Sequence, residues 1–321
     1  MEAGGSPMVV EVRPLHEDEL GEADRIHRRA YGSYFRLADP LSFGGDAQVL
    51  KSRWTTDPAA AFALVEDGHL AGSCFVTRWG SVGLLGPVSI DPDRQGRGLA
   101  HPLLEEALRF LDGPPISFHG LFTFAESAKH VGLCQRYGYW PASLAAVMSK
   151  KVSPGSVTPE GAAALSRLTP DAQAEALSAC RELTDSIFDG LDVTGEVLSL
   201  GEQGLGDVVL SREGSRVAGV AVCHAGPGSE AGTGRAAVKF AAVRSGAGAG
   251  ADLRRLLEAV EAWAASEGAS VVTAGTGSGR IAAWTTLREV GYRPFAQGVA
   301  MHRDRHPGYD REDVFVLDDW R

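Results

Sequence analysis

The stretch "LLGPVSIDPDRQGRGLAHPLLEEALRFL", Leu84–Leu111, decides the reading of this 321-residue chain. It runs apolar, breaks at a proline and crosses Gly96 and Gly98. It then continues with Ala100, Leu103, Leu104, Ala107, Leu108 and Leu111 at helical spacing. That is a strand, a glycine-rich turn and an amphipathic helix in direct succession. Pro102 is compatible with the helix because it falls in the first turn, where its missing N–H has no partner to lose.

A turn of this kind aims backbone N–H groups at an anion, because a helix start has unpaired donors and a partial positive charge. Spacing separates the ligands that use it. A dinucleotide fingerprint would need glycine where His101 stands, and a nucleoside triphosphate loop would need Gly-Lys-Ser or Gly-Lys-Thr, which is absent. The pyrophosphate loop of acyl-coenzyme A enzymes remains.

Outward from the turn, the chain repeats itself. "AFALVEDGHLAGSCFVTRW" reads as strand, Asp67-Gly68 turn and strand, and "DVVLSREGSRVAGVAVCHAG" answers it, Ala71-Gly72 matching Ala218-Gly219. "AVKFAAVRSGAGAGA" answers the opening stretch. Its helix carries Leu253, Leu256, Leu257, Val260 and Ala264 on one face. Each half then has a strand, "ISFHGLFTF" or "SVVTAG", and a short helix ending in Gly138-Tyr139 or Gly291-Tyr292. Each half also opens with a short strand and a long helix. "KKVSPGSVTPEG", Lys150–Gly161, is polar, holds two prolines and reads as a linker. The expected layout is a first domain over 1–152, a linker over 153–160, a second domain over 161–303 and a tail over 304–321. Within the tail, "DVFVL" reads as an added edge strand of unknown partner. The class is α/β (α+β), with mixed sheets flanked by helices.

Composition agrees with two domains and a sizeable core, at 44% hydrophobic residues. No run of about 18 apolar residues reads as a membrane span. The start, "MEAGGSPM", lacks a signal peptide's basic and apolar segments, so a cytoplasmic protein is expected. Cys74, Cys134, Cys180 and Cys223 are scattered, with no metal-ligand spacing, so neither a metal site nor a disulfide framework is expected. The net charge of -10 disfavours nucleic acid and modestly favours cationic amines, although acidity kept for solubility explains it as well. A monomer or homodimer is expected, with no membrane partner.

With Gln95-Gly96-Arg97-Gly98-Leu99-Ala100 after "VSIDP", and a late "L-x-x-x-x-G-Y" helix, the sequence resembles the GCN5-related N-acetyltransferase superfamily. The likeness covers nearly the whole chain as two tandem GNAT-like domains, each a mixed, mostly antiparallel sheet flanked by helices. Length and layout are similar to tandem members of the mycothiol synthase type, although here the better-kept motif lies in the first half. The resemblance implies acetyl-CoA as donor and a primary amine, on a small molecule, as acceptor. It implies that Val88, Ser89 and Ile90 pair with the pantetheine arm, that Gln95, Gly96, Arg97, Gly98, Leu99 and Ala100 cradle the pyrophosphate, and that Ser127 joins the cofactor site. Arg97 either bonds the pyrophosphate or stays solvated. The second copy has Ser245 at the first motif position and no preceding proline. It is either a weakened cofactor site or a scaffold, and the scaffold is favoured.

The family's usual chemistry is incomplete here. Cys134 stands where many members carry an acidic tyrosine, and Leu287 stands there in the second copy. Cys134 serves as acid or as a small core filler. The strand before the turn has no carboxylate, which leaves His119, Glu126 and His130 as candidates for the base. Tyr31, Tyr34, Phe35 and Phe43 fall where the family builds its acceptor wall, and are also what a core would use. A non-catalytic acyl-CoA sensor is the rival reading.

Overall fold

The periodicities read above build thirteen strands and eight helices among the residues described by the computed structural model, 9–320. Residues 1–8, on which the expectation about a signal peptide rests, and Arg321 lie outside the described residues. Contacts divide the chain into two compact units.

The first unit takes residues up to Gly45, with Val49–Thr77 and Leu85–Gly113. Its strands β1 (Val10–Pro14), β2 (Ala61–Glu66), β3 (His69–Trp79) and β4 (Val82–Ile90) lie side by side in that order. β1 is antiparallel to β2, and β2 to β3. Asp67 and Gly68 both have positive φ, 50° and 79°, as the two-residue turn between β2 and β3 requires. Helices α1 (Leu20–Tyr34) and α2 (Val49–Thr56) bring Leu20, Ala23 and Leu50 against Ala61, Ala63, Val65 and Phe75. Helix α3 (Ala100–Leu111) buries Leu103, Leu104, Ala107, Leu108 and Leu111, and Phe110 meets Phe62 with ring centroids 5.8 Å apart. Buried on both faces, β2 reads as a continuous apolar run rather than an alternation.

The second unit takes Asp46–Gln48, Arg78–Leu84 and the chain from Pro114 onward. From the first repeat it holds β5 (Phe118–Thr123), α4 (Ala128–Arg136) and β6 (Tyr139–Lys151). From the second it holds β7 (Ala162–Ala164), α5 (Pro170–Asp185), α6 (Thr194–Gln203), β8 (Gly206–Glu213), β9 (Arg216–Gly226), β10 (Gly232–Val243), α7 (Ala249–Ser266), β11 (Val271–Gly277), α8 (Ile281–Glu289) and β12 (Arg293–Arg303). The strand order is β5-β12-β6-β11-β10-β9-β8-β7. The repeats have exchanged their sixth strands: β6 pairs with β11, β12 pairs with β5, and β6 and β12 pair with each other. Compactness therefore follows strand pairing rather than order along the chain. Helix α7 buries its whole predicted stripe, Leu253, Leu256, Leu257, Val260 and Ala264, each worth up to roughly 1.5–3 kcal/mol for the larger side chains.

The tail strand β13 (Val316–Asp318) differs from the edge strand expected. It pairs with β10, an interior strand, antiparallel over Phe240–Ala242. Strands β10 and β11 are parallel partners over Arg235–Ala237 and Val271–Thr273 only. Beyond that they part, and β13 fills the opening. Among the described residues no helix is long and apolar enough to cross a membrane.

Candidate functional site

Strand β4 ends at Ile90, and Asp91 accepts from the Asp93 amide to start a tight turn. Gly96 and Gly98 follow with φ of 80° and 79°, a conformation that L side chains rarely adopt. Helix α3 then begins at Ala100 with no side-chain cap at Leu99. Its first N–H groups thus have no capping side chain, the condition under which a helix start serves an anion. Gln95 Nε2 donates to Ile90 O at 3.0 Å and folds the loop back on the strand end. Arg97 is exposed, and its guanidinium is ion-paired. Its Nη2 lies 2.6 Å from Glu66 Oε1, and Arg94 shares the same carboxylate. Glu66 is 2% exposed, so two guanidinium groups are held at the loop by one buried anion.

The second copy builds a different turn. Gly248, matching Gly98, has φ of -88°, and Gly250, matching Ala100, is not among the positive-φ residues. Of the glycines in this second turn only Gly246 has positive φ, 149°, where the first turn has two, Gly96 and Gly98.

Along β4 the candidates alternate, with Ser89 buried and Val88 and Ile90 half-buried. Two helices back this stretch. His27 Nδ1 on α1 lies 3.0 Å from Ser89 Oγ, and Arg53 on α2 donates to Gly86 O at 3.1 Å. The Val88 amide hydrogen-bonds the Tyr31 hydroxyl; burial pushes that phenol up to about 12, against the pull of the Arg53 charge. Burial, with the charges of Arg53 and Arg28, brings His27 down to about 3, so its ring is neutral at ordinary pH. The four aromatic residues expected at an acceptor wall cluster at the end of α1 and the loop after it. Tyr31 stacks on Phe43 at 5.4 Å, Phe43 on Phe35 at 5.7 Å, and Tyr34 meets Phe35 edge-on at 5.3 Å. Phe35 is 46% exposed, so part of the cluster faces solvent. Arg28 ties the loop that carries Phe43 to α1, donating to Phe43 O and Gly45 O at 2.6 Å each.

The remaining candidates belong to the second unit. His119 on β5 is buried, with Nδ1 2.8 Å from the hydroxyl of fully buried Tyr139. Ser127 caps α4, its Oγ accepting from the His130 amide at 3.4 Å. Glu126 is exposed beside it. Burial lowers His130, with Lys129 acting in the same direction and Glu126 against it. Burial pushes the Cys134 thiol up to about 11, so it is protonated at neutral pH. Leu287, at the matching position, is fully buried as a core residue. All four cysteines are free. Elsewhere in this unit Glu196, His224 and Glu230 bring ligand-type atoms within 4.8 Å of one another. The ammonium of Lys239, 2.8 Å from Glu230, already supplies a cation there.

The sequence reading passed over His27 and Arg53. His27 lies one helical turn before Tyr31, so the i, i+4 pair was visible as one face, but nothing marked β4 as what that face meets.

Residues 25–139 match the model of the acetyltransferase (GNAT) family. No curated protein matches the chain. Among solved structures, it is similar to a candidate acetyltransferase from Pyrococcus horikoshii, at 12% identity and TM-score 0.68 over 97% of this chain and 95% of that one. A GCN5-related N-acetyltransferase from Sphaerobacter thermophilus is similar at 16% identity and TM-score 0.62, over 97% and 98%. A tandem GNAT protein from the clavulanic acid biosynthesis pathway is similar at 13% identity and TM-score 0.53, over 92% and 98%. At these identities the likeness is one of fold.

Proposed function

We propose that this chain, whose residues 25–139 match the acetyltransferase (GNAT) family model, moves an acetyl group from acetyl-CoA to a primary amine of a small molecule, at the site of its first repeat. The observation that carries this reading is the contrast between the two turns. Gly96 and Gly98 are left-handed before an uncapped helix, whereas Gly248 is not, and the second repeat's strand opening is filled by β13.

Bound acetyl-CoA supplies the thioester. The backbone of Val88, Ser89 and Ile90 holds the extended arm, and Gln95 to Ala100 receive the pyrophosphate on N–H groups. Arg97 acts by its charge near the loop rather than as a direct ligand, because Glu66 holds it. Acetyl transfer requires a neutral amine and a proton for the departing thiolate. Tyr31 keeps its phenolic proton at the Val88 amide and is a source of one, a role open in this chain because Cys134 replaces the usual tyrosine. The stacked Tyr31, Phe43 and Phe35 give the acceptor an aromatic wall.

Acetyl-CoA at about 100 times its Kd is expected to stabilise the chain by about 2.7 kcal/mol. Gly98→Val is expected to abolish the rise in melting temperature; no rise in the unaltered chain would sink the proposal. Release of free thiol with a panel of small amines tests turnover. The lack of a carboxylate on β4 and of the usual tyrosine where Cys134 stands motivates a second reading, an acyl-CoA sensor, which predicts donor binding with no thiol release on any amine.

A further inference from the structure

Ala71 matches Ala218, and Asp91 N donates to Ala71 O at 2.9 Å as Arg244 N does to Ala218 O at 3.3 Å, so Asp91 corresponds to Arg244. Val88, Ser89 and Ile90 then correspond to Ala241, Ala242 and Val243. Ala241 and Ala242 pair with Leu317 and Val316 of the tail, and Val243 is bonded to Phe315. We propose that the segment 314–320 is an internal ligand seated in the second repeat's arm slot, and that this slot takes an extended, amide-bearing chain of the pantetheine type when the tail leaves. This deepens the donor reading above and rests on it for the assignment of the arm to β4.

The seat is built on both sides. Toward β10, Val243 N donates to Phe315 O at 3.2 Å and Asp319 N to Lys239 O at 3.0 Å. Toward β11 and α8, Arg280 Nη1 donates to Val316 O at 3.1 Å and Thr276 Oγ1 to the same oxygen at 3.4 Å. Gly275 on β11 faces the carbonyl of Asp318 so closely that a Cβ would strike it. The tail is pinned by one carboxylate. Asp318 accepts from Arg280 Nη2 at 2.7 Å, from the Tyr309 hydroxyl at 2.7 Å and from Trp320 Nε1 at 2.8 Å. Val316 and Leu317 are fully buried, Asp318 is 5% exposed and Arg280 is 3% exposed. A strand that merely extended the sheet would sit on its edge β7; this one lies where two parallel strands diverge, with the Arg280–Asp318 ion pair buried inside the protein.

The test uses the full-length chain carrying Val316→Asp and Leu317→Asp, which forces two carboxylates into a dry slot and displaces the tail. A fluorescent peptide with the sequence of 313–320 is titrated into it and into the unaltered chain. The expected result is one peptide bound per variant chain, at least tenfold weaker binding to the unaltered chain, and displacement of the peptide by millimolar pantetheine. Absence of peptide binding by a variant that still melts cooperatively would overturn the internal ligand, and binding that pantetheine does not displace would overturn the slot assignment. Should the double variant fail to fold, Asp318→Ala answers by hydrogen exchange. Amides of Phe240–Ala242 should exchange at least tenfold faster while those of Gly206–Glu213 do not change; unchanged protection at Phe240–Ala242 overturns the proposal. Acetyl-CoA binding to the unaltered chain is read separately, so failure of the donor reading shows there and not in the peptide titration.

Discussion

His27 shows how one buried ring ties the site to stability. It is 7% exposed and held at about 3, while an unfolded chain titrates it at its ordinary 6.5. The folded value is depressed, so above pH 6.5 both states are neutral and nothing is lost. As pH falls from 6.5 toward 3, the unfolded state takes a proton that the folded state refuses. Stability should fall by about 1.4 kcal/mol per pH unit from this group alone. Melting curves between pH 7.5 and 4 should therefore show a shallower acid slope for His27→Gln, by about one proton; an unchanged slope would mean that His27 is protonated in the folded chain. Tyr31, the neighbour on the same helix face, should behave differently. Tyr31→Phe is expected to lower kcat by about 10²-fold or more with acetyl-CoA affinity unchanged, and an unaffected kcat would remove it as a proton source. The sequence disclosed the aromatic residues around β4 by type and position. It could not disclose the hydrogen bonds of Tyr31 to Val88 or His27 to Ser89, because residue pairs about 60 positions apart leave no local periodicity.

Elements were legible wherever a local rule governed them. The Asp67-Gly68 turn, the left-handed glycines and the stripes of α3 and α7 follow from dihedral and periodic requirements that act within a few residues. The partners of β6 and β12 were not legible, since a strand keeps the same alternation whichever neighbour it pairs with. What does mark β12 is Gly298, where a Cβ would collide with the Phe122 ring and the Thr123 carbonyl of β5. Gly298→Val should therefore cost about 1–3 kcal/mol through overpacking, read as a fall in melting temperature. Leu144→Thr, on the partner strand but 53% exposed, should stay within about 0.5 kcal/mol. Equal effects of the two substitutions would mean that the β5–β12 approach is looser than described. The tail was misread as an edge because its three strand residues are too few to announce a partner, and Arg280 and Asp318, its pin, are 38 positions apart.

At the scale of the whole molecule, strand exchange makes the linker covalently dispensable but the halves structurally inseparable. Strand β6 belongs to the first repeat by sequence, yet it is paired on one side with β11 over Val147 and its neighbours and on the other with β12 from Tyr139 to Ser149. Removing either half would leave strands with unpaired N–H and C=O rows and an apolar face, the condition under which sheets aggregate. Val157 in the linker is 84% exposed, so a protease site placed across 153–160 is open to cleavage without disturbing a buried residue there. After cutting, the two fragments should elute together at the mass of the intact chain and part only in denaturant. Each half expressed alone should be insoluble, and the two expressed together should recover the complex. Fragments that separate in native buffer, or a first half that folds and binds acetyl-CoA alone, would show that each repeat closes its own sheet in solution. The same nicked protein bears on function, because the first repeat's β5, which carries His119, is held by β12 of the second. Acetyl transfer should survive nicking and disappear when the fragments are pulled apart, which makes the second repeat a structural requirement of the first even if it never meets the donor.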